Sequence, residues 1–317
     1  MSTINDIFKE INKAQKIVLL THQNPDGDAI GSTMAMYIYL KKIKKEVEVI
    51  IPSFSKNFEN VPFIREAKEI GTIDKYDLAI ALDCATMRLL NGWSQYFYDA
   101  TERIVIDHHS SNSMFGDINY VDPSSPACAQ ILYDIFKYKK IEIDSDMAKC
   151  IITGIITDTG GFQYSGINSQ TFEIASEFIE KGINIPQIYK EVLSTHTKTS
   201  FELRKIAIDR LEFLDDGKVT FTYITKKDED KVNAQTGDYE GIVNVGKEIE
   251  GVEVSIFLHE QDDGMKASLR SNSYVNVSDV CLMFGGGGHI RAAGATMQGT
   301  PEEIKNKILK EVERQLK

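Results

Sequence analysis

Four apolar runs, each closed by an acidic or histidine-bearing motif, constrain this chain more than any other feature of it. Ile17-Val18-Leu19-Leu20 leads into His22-Gln23-Asn24-Pro25-Asp26-Gly27-Asp28, Leu78 to Leu82 into Asp83, Ile104-Val105-Ile106 into Asp107-His108-His109, and Ile151 to Ile156 into Thr157-Asp158-Thr159-Gly160-Gly161-Phe162. The first three runs, together with Val47 to Ile51, read as strands buried on both faces, and the longer stretches between them can supply covering helices. The pattern predicts an α/β fold with a parallel sheet. Open sheets of that kind take their ligands beyond the carboxyl ends of the strands, where these motifs fall.

From about Ser169 to Leu211 the apolar positions, among them Phe201, Ile206, Ile208 and Leu211, take helical spacing and read as a connector. Strands follow at Val219 to Ile224, Val252 to Leu258 and Met265 to Leu269, the last two joined by the turn Gln261-Asp262-Asp263-Gly264, and a helix from Pro301 closes the chain. The expected organisation is a first domain over residues 1–185, a helical linker over 186–212 and a smaller α/β domain over 213–317.

Pro25 stiffens the first motif and Gly27 lets its backbone turn, and an extended conformation would send Asp26 and Asp28 to one side with His22. Alone, these aspartates could equally be turn residues or helix caps, His108-His109 a surface loop, and Asp158 a helix terminator. Together the motifs gather carboxylates and three of the six histidines at one predicted edge. Carboxylate and imidazole donors without thiolate favour Mn²⁺ or a similar divalent ion over a structural zinc.

Composition narrows the function further. A hydrophobic content of 42% with 26% charged residues in 317 positions describes a globular protein with room for two domains. No apolar run reaches the ~18 residues of a membrane span and residues 1–16 are unlike a signal peptide, so a cytoplasmic protein with no membrane association is expected. Cys84, Cys128, Cys150 and Cys281 are widely spaced in apolar surroundings, as reduced buried thiols would be. The formal charge of −11 argues against capture of long nucleic acid, duplex DNA included, because that affinity comes from many Lys/Arg–phosphate contacts.

In order and spacing the four motifs resemble those of the DHH phosphoesterases, with Asp107-His108-His109 as the name-giving triplet. Leu269-Arg270-Ser271, Phe284-Gly285-Gly286-Gly287-Gly288-His289 and Ala292-Ala293-Gly294-Ala295 look like the associated DHHA1 substrate-binding domain, and in length and domain order the chain is most similar to the bacterial oligoribonucleases of the nano-RNase type. The resemblance implies an active site in the interdomain cleft and two Mn²⁺ ions, with Mg²⁺ or Co²⁺ as substitutes. It assigns His22, Asp26 and Asp83 to one metal, and Asp28, Asp83, His108 and Asp158 to the other, with Asp83 bridging. His109, with Asp107, would stabilise the transition state or protonate the leaving oxygen. The implied reaction is hydrolysis of short oligoribonucleotides such as pApA to mononucleotides and of 3′-phosphoadenosine 5′-phosphate to AMP. A family-II-like inorganic pyrophosphatase and a non-catalytic nucleotide sensor are the competing functions, and a homodimer stays open.

The glycine run reads either as a flexible linker or as a phosphate cradle. Apolar residues on both sides favour the cradle, with Gly286, Gly287 and Gly288 presenting amides, Arg270 and His289 adding charged donors and Ser271 a hydroxyl. Arg291 is a weaker candidate, and His196 and His259 are expected to be structural or surface residues.

Overall fold

In a computed structural model, which describes residues 3–164, 166–235 and 237–317, the chain divides into two compact units, Met1–Thr195 and His196–Lys317. Met1 and Ser2, the start of the polar N-terminal stretch, lie outside the described residues. The first unit runs α1 (Ile4–Lys13), β1 (Lys16–Leu20), α2 (Gly27–Lys42), β2 (Glu46–Ile50), β3 (Leu78–Leu82), α3 (Ser94–Asp99), β4 (Glu102–Asp107), β5 (Ile118–Val121), α4 (Cys128–Tyr138), α5 (Ser145–Asp158), α6 (Ser169–Glu180) and α7 (Ile185–Tyr189). A π turn, Lys190–Ser194, follows α7.

The strands form one parallel sheet in the order β2-β1-β3-β4-β5. Alternation along each strand divides its side chains between two cores. Ile17, Leu19, Ile80, Leu82, Ile104 and Ile106 join the helical residues of α2, α4 and α5 on one face, and Val18, Leu20, Ala79, Ala81 and Val105 meet Leu90 and Phe97 on the other. With both faces covered, the strands can be continuously apolar, which is why β1, β3 and β4 were legible. The edge strand β5 escaped notice because only Val121 of its four residues is buried.

Helix α2 has no polar stripe, for every residue from Gly27 to Leu40 is buried between the sheet, α4 and α5. Glycines permit this. A Cβ on Gly31 would lie 2.4 Å from the carbonyl oxygen of Cys150, so α2 and α5 meet backbone to backbone.

The second unit contains α8 (Lys198–Asp209), β6 (Glu212–Leu214), β7 (Val219–Ile224), α9 (Lys226–Val232), α10 (Ile242–Lys247), β8 (Val254–Gln261), β9 (Gly264–Ser271), α11 (Val277–Leu282), β10 (Gly287–His289), β11 (Ala292–Met297) and α12 (Pro301–Glu313). Its sheet order is β10-β11-β9-β8-β7-β6, with β7 and β8 parallel and the other pairs antiparallel. Val254, Ile256, Leu258, Ala267 and Leu269 pack with Val277, Val280, Ile304 and Ile308, while Phe257 turns to Leu203, Ile242 and Val243 on the opposite face. Strands β10 and β11 are built largely of glycine and alanine and carry little β-branched signal.

The helical segment expected as a connector is shared between the units. Ile188, Tyr189 and Val192 pack into the first core and Leu203 and Ala207 into the second, so the division at Thr195 falls inside residues 186–212. All four cysteines are free and buried. Among the described residues no helix is long and apolar enough to cross a membrane.

Candidate active site

The loop from β1 into α2 supplies the first three side chains. Asp26 is the N-cap of α2, accepting from the N–H groups of Asp28 and Ala29 at 3.0 and 3.1 Å. Its cap role does not remove it from the cluster, since its carboxylate also lies with His22 and Asp83. Because the helix opens at Gly27, Asp28 belongs to a helical turn and not to an extended segment, and the two carboxylates enter different donor groups, Asp26 with His22 and Asp83, Asp28 with His108 and Asp158. Gly27 is required by crowding: a Cβ there would come within 2.4 Å of the Thr157 side chain.

Asp28 turns towards α4. Its two carboxylate oxygens accept from the N–H groups of Cys128 at 2.6 Å and Ala129 at 2.9 Å. The N-cap of α4 is Ala127, which has no side-chain oxygen, so Asp28 satisfies those exposed amides from across the core.

Asp83 follows β3 in left-handed backbone (φ 52°), a conformation that aspartate tolerates better than most residues, and its N–H donates to Ile106 O at 3.0 Å. His108, just past β4, is oriented by the carbonyl of Ser125, 3.1 Å from its Nδ1. A carbonyl only accepts, so the proton sits on Nδ1 and Nε2 faces Asp158 Oδ2 at 3.3 Å, Asp83 Oδ1 at 3.5 Å and Asp28 Oδ2 at 3.8 Å. Asp158 is the last residue of α5. On the other side of Asp83, Oδ2 stands 3.9 Å from His22 Nε2.

Asp107, wholly buried, accepts from His109 Nδ1 at 2.7 Å and from the His108 N–H at 2.8 Å through Oδ1, and from Asn112 Nδ2 at 2.6 Å through Oδ2. Burial acts to raise its pKa, but the hydrogen bond from His109 heads the effects that hold it below the ordinary carboxylate value. Asp83 and Asp28 fare differently. Burial, then the charges of Asp28, Asp26, Asp107 and Asp158, push Asp83 well above its usual range, and burial raises Asp28 to about 6.

Within the first unit, the described residues form three donor groups, with atoms within 4.8 Å of one another in each: His22, Asp26 and Asp83; Asp28, His108 and Asp158; Asp83, Asp107 and His109. Asp83 Oδ1 is buried without a hydrogen-bond donor. Carboxylates crowded out of water cannot all ionise unless cations join them. The donor set is carboxylate and imidazole alone, since Cys84 and Cys128 turn their thiols to the carbonyls of Thr86 and Ile106. These residues therefore fit divalent ions with hard oxygen and borderline nitrogen preferences.

In the second unit, register rather than sequence proximity groups the candidates. Arg270 pairs with Ala292, and Ala292 with His289, so Arg270 and His289 share one face of the sheet two strands apart, with a floor of Ala292, Gly287 and Gly294. Ser271 falls on the opposite face; it is buried, and its hydroxyl donates to Val275 O at 2.7 Å, where Arg291 Nη1 also donates. The hydroxyl expected at the binding face thus closes a turn. The glycine run is structured from its start: Gly285 takes a left-handed φ of 74°, and the amides of Gly285 and Gly286 donate to Leu282 O and Cys281 O, capping α11. Gly287 and Gly288 then form β10, where a Cβ on Gly288 would strike Ala292 O at 2.5 Å. His259 is buried, with Nε2 2.8 Å from Glu229, and His196 lies 3.5 Å from Arg204.

Sequence reading missed Asn112, Gly154 and the backbone groups of Ser125, Cys128 and Ala129. Only the placement of Asn112 three residues past His109 left any trace in the sequence.

Residues 16–155 match the family described as the DHH family, N-terminal domain, and residues 216–317 match the DHHA1 domain. The chain belongs to the DHH family of phosphoesterases, in the form that carries a DHHA1 domain. Over its whole length it is 29% identical to the bifunctional oligoribonuclease and PAP phosphatase NrnA of Thermus thermophilus, covering 94% of that protein. It is 22% identical to the protein of the same description from Bacillus subtilis, over 97% of each chain. Among solved structures, an exopolyphosphatase-related protein from Bacteroides fragilis shares the fold with a TM-score of 0.87 and 29% identity, over 98% of this chain and 95% of that one. The exonuclease RecJ bound to manganese shares the fold alone, at a TM-score of 0.51 and 13% identity, over 98% of this chain and 93% of that one.

Proposed function

We propose that this chain is a two-metal, Mn²⁺-dependent phosphoesterase that hydrolyses very short oligoribonucleotides, pApA among them, to mononucleotides, and 3′-phosphoadenosine 5′-phosphate to AMP. The observation that carries the reading is the position of Asp83, whose two oxygens face His22 on one side and His108 on the other. Relatives described as bifunctional oligoribonucleases and PAP phosphatases, matched over nearly the full chain, support the substrate class.

His22, Asp26 and Asp83 would hold one ion, and Asp28, Asp83, His108 and Asp158 the other. Bound there, a pair of divalent ions supplies a water of lowered pKa and neutralises charge developing on the phosphoryl oxygens. Asp28 is held by the amides of α4 and His108 by Ser125 O, so neither has to reorganise on binding. His109, its Nδ1–H held by Asp107, donates a proton from Nε2 to the leaving oxygen. Arg270 and His289 provide charge-assisted donors to a substrate phosphate, with small residues between them leaving room for it.

The test is product analysis with Mn²⁺ across RNAs of two to twenty nucleotides, pApA, 3′-phosphoadenosine 5′-phosphate and inorganic pyrophosphate. Mononucleotides from the shortest RNAs and AMP from the bisphosphate are expected, and preferential turnover of pyrophosphate would replace this reading with a pyrophosphatase. Asp158→Asn should abolish hydrolysis while leaving the thermal transition in place; binding without turnover in the wild type would instead make the chain a sensor.

A further inference from the structure

Asn112 lies in the loop beyond β4 and is half-buried. Its side-chain amide spans two of the loops that carry the site. Nδ2 donates to Asp107 Oδ2 at 2.6 Å and to the carbonyl oxygen of Cys84, the residue after Asp83, at 3.1 Å. Oδ1 accepts from the Met114 N–H at 2.7 Å, and the Asn112 N–H donates to His109 O at 3.1 Å. The orientation of the amide follows from chemistry: a carboxylate and a carbonyl can only accept, so the nitrogen must face them.

Asp107 is therefore held at both oxygens, Oδ1 by His109 and the His108 amide and Oδ2 by Asn112. A carboxylate held on one side alone could rotate about its terminal torsion, and the Nδ1–H of His109 would then lose its fixed acceptor. We propose that Asn112 is a positioning residue for the phosphoesterase reaction: by locking Asp107 it fixes the ring of His109, and by binding Cys84 O it ties that ring to the loop of Asp83. The inference rests on the reading of His109 as proton donor. In that step a water oxygen bonds to phosphorus and releases one proton to solvent, the bond from phosphorus to the sugar oxygen breaks, and the sugar oxygen keeps the electron pair and takes the proton from His109 Nε2, which solvent then restores. Asn112 touches none of the reacting atoms.

The leaving group separates this role from a structural one. A ribose hydroxyl needs a proton as it departs, whereas p-nitrophenolate leaves readily without one. In the full-length protein with Mn²⁺, Asn112→Ala should lower kcat on pApA by about 10–100-fold, as loss of an orienting partner does. On the p-nitrophenyl ester of AMP the fall should stay within about threefold, because there the leaving group needs no proton from His109. The Mn²⁺ concentration for half-maximal activity should not move, and in a His109→Ala background Asn112→Ala should cost no further activity on pApA. Should Asn112→Ala not fold, Asn112→Leu, close in volume and without a donor or a charge, makes the same comparison. Equal losses on both substrates, a shifted Mn²⁺ requirement that accounts for the loss, or full additivity with His109→Ala would overturn the proposal. A wild-type protein inert on both nucleotide substrates would remove the functional reading and this inference with it, while an active wild type with an unaffected variant would remove the inference alone.

Discussion

Gly154 shows how closely the candidate site depends on residues that carry no chemistry. It sits in the middle of α5, where alanine would ordinarily be favoured by about 1 kcal/mol on helix propensity. A Cβ at this position, however, would lie 2.6 Å from Asp28 Oδ1 and 2.6 Å from the Cβ of Ala129. Neither neighbour is free to withdraw, because Asp28 is bonded to the N-terminus of α4 and Ala129 belongs to that same turn. Overpacking of this kind costs about 1–3 kcal/mol, which exceeds the propensity gain. Gly154→Ala should therefore lower the melting temperature and weaken Mn²⁺ activation together. A variant that is stabilised, as exposed helical glycines usually are on this exchange, would show that Asp28 has freedom the packing denies it.

At the scale of elements, the edge strand β2 is covered by the segment that leads to β3, and one buried carboxylate fastens the two. Glu48, 6% exposed, accepts from Lys68 Nζ at 2.6 Å and the Thr72 N–H at 2.8 Å, and also from the hydroxyls of Thr72 and Tyr76. The backbone of Lys68 adds bonds to Val49 O and from the Ile51 N–H, so the sheet edge is closed to other chains. Burial acts to raise the Glu48 carboxyl, but these donors, Lys68 first, bring it down to about 2. A depressed folded-state pKa stabilises the protein fully above the unfolded value of 4.5 and loses that contribution as pH falls through about 2. With about 1.4 kcal/mol per unit, the contribution at neutral pH is on the order of 3 kcal/mol. Glu48→Gln should lower the unfolding free energy by roughly that amount at pH 7 in urea titrations, and the gap to wild type should close between about pH 4.5 and 2. A gap constant with pH would mean that packing, not charge, fastens the segment. Nothing in the sequence pointed to Glu48, because a glutamate flanked by Val47 and Val49 reads as ordinary alternation. The same limit divides what was legible from what was not. β1, β3 and β4 could be read because both their faces are buried, and the gathering of His22, Asp26, Asp83 and His108 because the motif side chains themselves make up the candidate donor groups. β5 and β10 bury too little apolar surface to register. The supports of the site are backbone groups, Ser125 O and the amides of Cys128 and Ala129, whose role depends on where the fold brings them and not on which residues they are.

For the molecule as a whole, the net charge of −11 and the modest set of cationic donors on the second unit's sheet limit what can be bound. Affinity for a single strand falls with salt by a log–log slope of about 0.7 per phosphate neutralised, so a protein that follows a long RNA must show a steep dependence. Arg270 and His289, set apart on one sheet face with glycine and alanine between them, suit one phosphate or two. The kcat/KM on pApA should therefore fall by only roughly three- to sevenfold between 50 and 200 mM salt, the change expected for one or two contacts. Lengthening the RNA beyond the first few nucleotides should bring no gain in KM, because additional phosphates would meet a predominantly acidic protein rather than further cations. Steady-state kinetics on a length series at both salt concentrations tests the two expectations at once. If KM decreased with every added nucleotide and the salt slope steepened alongside it, the protein would possess an extended basic track, and the restriction to very short substrates would have to arise elsewhere.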